Sequence, residues 1–112
     1  MLVTISGLPG SGTTTAGRLL AETLDWEFQS SGELFRTMAD ARGVTLAEFG
    51  ALAEEDESID HKLDARAVAL MGTGAELVME GRLAGWMAFR DKFASIRVWL
   101  ESDGATRAQR VA

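Results

Sequence analysis

Residues 2–6, LVTIS, are short, apolar and largely β-branched, and they run straight into GLPGSGTTT, residues 7–15. From Thr13 onward the stretch TTTAGRLLAETLD takes up helical spacing, with Ala16, Leu19, Leu20 and Leu24 expected on one face. A strand, a glycine loop and a helix in that order form the first half of a βαβ unit, so the helix must fold back over a sheet. The rest of the chain repeats the alternation. WEFQ, AELVMEGR and SIRVWLE read as strands, and helical patterns lie between them. The expected fold class is therefore α/β, a parallel sheet of the P-loop NTPase type with helices on both faces.

The helices carry their own boundary signals. SSGELFRTMADARG opens with Ser31 as the expected N-cap and stops at Gly43, where a C-cap glycine belongs. Thr45 and Glu48 have capping-box spacing and start a third helix. It runs into the acidic cluster Glu54–Glu57, after which SIDHKLDARAVALMG resumes helical spacing, with Leu63, Leu70 and Met71 assigned to the core. LAGWMAFRDK reads as a short helix, and ATRAQRVA as the start of another. No internal repeat or linker is visible, and 112 residues with 46% hydrophobic content make one domain's worth of core.

Composition narrows the partners. The formal net charge of −6, from 17 acidic and 11 basic residues, argues against a nucleic-acid binder that works by neutralising phosphates. With no cysteine, neither a disulfide framework nor a thiolate metal site is open to the chain. No apolar run approaches the roughly 20 residues of a membrane span, and no signal-peptide pattern opens the sequence. A soluble cytoplasmic protein, most simply a monomer, is expected.

The loop fits the phosphate-binding template G-x-x-x-x-G-K-[ST] through Gly7 and Gly12, with Thr14 at the hydroxyl position and Thr13 where the lysine usually stands. Gly10 adds a third glycine, and Leu8, Pro9, Ser11 and Thr15 complete the segment. The cradle does not rest on lysine alone. Glycines let successive amides turn inward, and the following helix aims its positive end at the same point. Without the ammonium, hydroxyls, Mg²⁺ or arginines from elsewhere must balance the charge of a transferring phosphoryl group. Thr14 is the candidate Mg²⁺ ligand.

GLPGSGTTT, SSGELFR and EGRLAGW, in that order, resemble nucleoside monophosphate kinases, most closely the archaeal type of cytidylate kinase, whose loop also resembles this one in having threonine at the lysine position. GVTLAEFGALAEEDESID, LDARAVALM and IRVWL are similar to the same family, so the likeness runs along essentially the whole chain. It implies that Gly7–Thr15 hold the phosphates of ATP. It also implies that Ser31, Gly32 and Arg36 belong to the acceptor side, with Arg36 gripping the acceptor phosphate, a task suited to a planar guanidinium. Glu80, Gly81 and Arg82 resemble the family's acidic-Gly-Arg triplet after the third strand. Glu80 would hold Mg²⁺ through water, and Gly81 and Arg82 would face the acceptor.

The resemblance thus implies phosphoryl transfer from ATP to CMP or dCMP, with Arg36, Arg82 and Thr14 as the catalytic residues, helices over about 31–71 around the acceptor, and ATP and Mg²⁺ as cofactors. Such kinases continue past RAQRVA into a lid, a further strand and a closing helix, so the chain reads as truncated. Arg107 and Arg110 lie three apart on one helix face, and Arg110 is where related kinases begin their contacts to ATP. An adenylate or shikimate type of kinase, or a nucleotide-binding piece without turnover, are the alternatives. Glu54–Glu57 with Asp60 and Asp64 read as a solvated acidic face, or else as selectors of the cytosine amino group. Lone His61 reads as a surface residue, and Trp26, Trp86 and Trp99 as core or cleft wall.

Overall fold

The structure, a computed structural model, describes residues 1–105. Four strands, β1 (Leu2–Gly7), β2 (Glu27–Ser30), β3 (Leu77–Glu80) and β4 (Ser95–Leu100), form one sheet in the order β2-β3-β1-β4. Every neighbouring pair is parallel. Five helices connect them: α1 (Thr13–Leu24), α2 (Ser31–Arg42), α3 (Leu46–Glu55), α4 (Glu57–Met71) and α5 (Ala84–Arg90). Arg107, Arg110 and most of the helix expected from Ala105 lie outside the described residues.

Strand alternation sends side chains to two different layers. Val3, Ile5 and Val78 meet Ala21 of α1, with Leu20, Trp26 and Phe28 packed around them. Leu2, Leu77 and Met79 point the other way, onto Ala67 and Met71 of α4, Leu34 of α2, and Ala84, Met87 and Ala88 of α5. Helices therefore cover both faces, which is why β1 is buried at all six positions. A third cluster, Met38, Ala39, Phe49 and Ile59, joins α2, α3 and α4 away from the sheet.

Two sequence expectations shift. The inner face of α1 is Gly17, Leu20 and Ala21, whereas Leu19 and Leu24 are exposed, because a small-residue stripe lets the helix lie close to the sheet. The cap of α2 is Ser30 rather than Ser31: Ser30 is extended, and its hydroxyl accepts from the Glu33 amide at 3.1 Å. Other boundary signals hold. Thr45 and Glu48 form the full capping box, and Gly43 ends α2 in the left-handed region at φ 68°. Asp56 caps α4 by accepting from the Ser58 amide. Among the described residues no helix is long and apolar enough to cross a membrane.

Candidate functional site

All four strands end at the same edge of the sheet. There β1 leaves through α1 toward β2, while its neighbour β3 leaves through α5 toward β4, so the two connections diverge. The gap between diverging connections is where open α/β sheets bind ligands. The candidate residues of the glycine loop and of the Glu80–Arg82 triplet both fall there.

The loop is shaped by backbone constraints. Gly10 and Gly12 sit at φ 82° and 83°, in the left-handed region that favours glycine. A Cβ placed on Gly7 would lie 2.7 Å from the Leu100 carbonyl oxygen, an atom of β4 that cannot step aside. The Ser11 amide closes the turn onto the Leu8 carbonyl at 3.1 Å. Helix α1 then starts with no side-chain cap and no acidic residue in its first turn. Its first amides and the positive end of its dipole are left for an anion.

A cleft of about 750 Å³ opens over that helix end, walled by Gly10, Ser11, Thr13, Thr14 and Thr15 with Leu100 behind. The Ser11 hydroxyl is buried and has no hydrogen-bond partner, an unmet polar group of the kind a phosphate oxygen satisfies. Thr14 and Thr15 stand exposed at the rim. The cleft therefore fits a polyphosphate on its own residues. Thr13, at the lysine position, does something the sequence did not announce: its hydroxyl donates to Glu80 Oε1 at 2.6 Å. That contact ties the donor loop to the end of β3.

The side that the resemblance assigns to the acceptor is built from the ends of β2 and β3. Ser30 and Glu80 are register partners, and the next residues, Ser31 and Gly81, pack face to face. A second cleft of about 380 Å³ is lined by Ser31, Arg82, Asp60 and Asp64, with Leu63 and Met87 as its apolar wall. Arg82 is exposed and also borders an apolar cleft of about 400 Å³ walled by Trp86 and Trp99. Gly32 is exposed beside Ser30. Arg36 does not line the second cleft. Five residues beyond Ser31 it stands about 140° around the helix, on an exposed side of α2.

Asp60 and Asp64, read first as solvated surface, also line the second cleft, where Asp60 is exposed and Asp64 half-buried. Their spacing of one helical turn was the available signal, since it puts both carboxylates on one side of α4. Among the described residues no cluster of three or more His, Cys, Asp or Glu side chains stands ready to hold a metal. Glu80 is tied through the Thr13 hydroxyl to the loop that lines the first cleft.

Comparison with known proteins gives the family and the fold. Residues 3–112 match the family described as an AAA domain. A cytidylate kinase from Methanococcoides burtonii is 49% identical over 111 residues, covering 99% of this chain and 61% of that protein. A cytidylate kinase from Halobacterium salinarum is 48% identical over 112 residues, covering 100% of this chain and 57% of its own. The chain thus spans about three fifths of the length of these curated relatives. Among solved structures, shikimate kinase from Acinetobacter baumannii in complex with shikimate superposes with a TM-score of 0.73 at 24% identity, over 98% of this chain and 61% of that one. At that identity the likeness concerns the fold.

Proposed function

The chain belongs to the AAA-domain family, and from that premise we propose that it is the core of a cytoplasmic, monomeric cytidylate kinase, moving the γ-phosphoryl group of ATP to CMP or dCMP. Residues 1–112 form its nucleotide-binding domain, with the acceptor held among the helices of residues 31–71. The observation that carries the reading is the meeting of two half-sites: an uncapped helix end in a glycine loop, and the Ser31–Gly81–Arg82 corner, joined by the Thr13–Glu80 bond of 2.6 Å.

In the reaction an oxygen of the acceptor phosphate bonds to the γ-phosphorus as the bridge to the β-phosphate breaks, giving CDP and ADP. The acceptor is already nucleophilic, so alignment and charge neutralisation do the work. Loop amides from Gly7 to Thr15, the Ser11 hydroxyl and the positive end of α1 hold the donor phosphates. Arg82 holds the acceptor phosphate, and Arg36, on an exposed side of α2 outside the cleft, is assigned to it through the resemblance alone. Arg110, outside the described residues, is assigned to ATP through the resemblance alone. Thr14, with Glu80 through water, would hold Mg²⁺, which would supply positive charge to offset that of the donor phosphates.

Purified chain is titrated with Mg·ATP and with CMP. Arg82→Ala should weaken CMP about ten- to a hundredfold, the worth of a charged hydrogen bond, and leave ATP within about twofold. Equal losses for both ligands would remove Arg82 from the acceptor site. Faster turnover with AMP or shikimate than with CMP would overturn the choice of acceptor.

A further inference from the structure

Thr13 stands where the loop template has lysine, yet its hydroxyl points to the strand-end carboxylate, donating to Glu80 Oε1 at 2.6 Å. A hydroxyl has one proton. While Thr13 gives that proton to Glu80, it offers the polyphosphate cleft only lone pairs, which repel phosphate oxygens and suit a cation or a water donor. An ammonium at this position would have neutralised Glu80. Here the ion pairs among the described residues are Arg18–Glu33 and Arg90–Asp91, and Glu80 is in neither.

We propose that Thr13 is a positioning residue that acts through Glu80: its hydroxyl fixes the carboxylate against the donor loop, so that the site presents oriented negative charge to a divalent cation instead of a fixed positive charge to phosphate. The inference rests on the donor-site reading above and adds to it a division of labour. Main-chain amides and Ser11 take the phosphates, while Thr13 and Glu80 serve the cation. Nucleotide affinity should therefore depend on Mg²⁺ through this pair.

The test is calorimetric titration of ATP into the chain, with Mg²⁺ and again with EDTA. Thr13→Val keeps the shape and removes the proton. It should weaken Mg·ATP about tenfold, as loss of an outer support of a metal site does, and leave metal-free ATP within about twofold. Thr13→Ser restores the donor and should keep the ratio of the unaltered chain. Glu80→Gln, which can still accept from Thr13 but has no charge, should show the same selective loss as Thr13→Val. Equal weakening of both forms of ATP by Thr13→Val would make Thr13 a phosphate ligand and overturn the inference while sparing the donor site. An unchanged ratio in Glu80→Gln would overturn it as well. Failure of the unaltered chain to bind ATP under either condition would sink the donor site itself.

Discussion

Gly81→Ala probes the joint between the two half-sites. A Cβ at Gly81 would collide with the Ser31 hydroxyl oxygen and lie 3.2 Å from the Ser31 Cβ. The hydroxyl can rotate away, but the second contact stays tight in every rotamer. Overpacking of this kind costs about 1–3 kcal/mol. The backbone at Gly81 is not in the left-handed region, so alanine also gains about 0.4–1 kcal/mol by restricting the unfolded chain. The net expectation is a loss of about 1–2 kcal/mol, a fall in Tm of about 4–16 °C at the 4–8 °C per kcal/mol of small domains. Urea unfolding followed by fluorescence and circular dichroism gives the number. Repeating it in a Ser31→Gly background removes the Cβ together with the hydroxyl and should cut the penalty by at least half, a coupling of about 0.5–1 kcal/mol. An equal penalty in both backgrounds, or a stabilised Gly81→Ala, would show that Ser31 does not rest on Gly81.

Other expectations follow from helix ends and core. The Asp56 carboxyl is held below its ordinary value of 3.8, chiefly by the Ser58 hydroxyl and then by the Ser58 amide. Because the native value is the depressed one, the cap contributes above 3.8 and is lost as pH falls through the lowered native value. Asp56→Ala should therefore lower the urea midpoint at neutral pH, by a margin that shrinks as pH falls through the lowered native value; a difference that stays constant as the medium is acidified would refute the charge contribution. Phe49 is fully buried with its ring centroid 4.7 Å from that of Phe35, so Phe49→Ala should cost about 3–5 kcal/mol by urea unfolding. Titrations of the same variant should show CMP weakened more than ATP, and the opposite order would detach the outer helices from acceptor binding.

The elements legible in the sequence were those whose signal is local. The β-branched run of β1, the left-handed Gly43 and the Thr45–Glu48 box each state their conformation in a few residues, and the structure has them where expected. Errors arose where a neighbour decides. Ser30 and Ser31 are equivalent as N-cap candidates until the parallel register of β2 with β3 extends through Ser30, which leaves it as the cap and turns Ser31 onto Gly81. Leu19 and Leu24 fit a helical stripe, but the sheet lies against the small residues Gly17 and Ala21. The Thr13–Glu80 bond spans 67 positions, and no local pattern encodes it. That Asp60 and Asp64 share a cleft with Arg82 is equally invisible until α4 is packed, while their reading as acidic surface holds for the exposed Asp60.

The third cluster has a mechanical meaning. Helices α2 and α4 root in the sheet layer through Leu34, Ala67 and Met71, and at their far ends they grip α3 through Met38, Phe49 and Ile59, with Leu63 shared between root and tip. They act as paired struts carrying a small, separately cored cap. A strut of 12 residues is about 18 Å long, so a tilt of about 10° at its base sweeps the tip about 3 Å. Ser31 and Asp64 sit near the roots, so a tilt of that size would change the outer part of the cleft they line far more than its inner end, as a lever does.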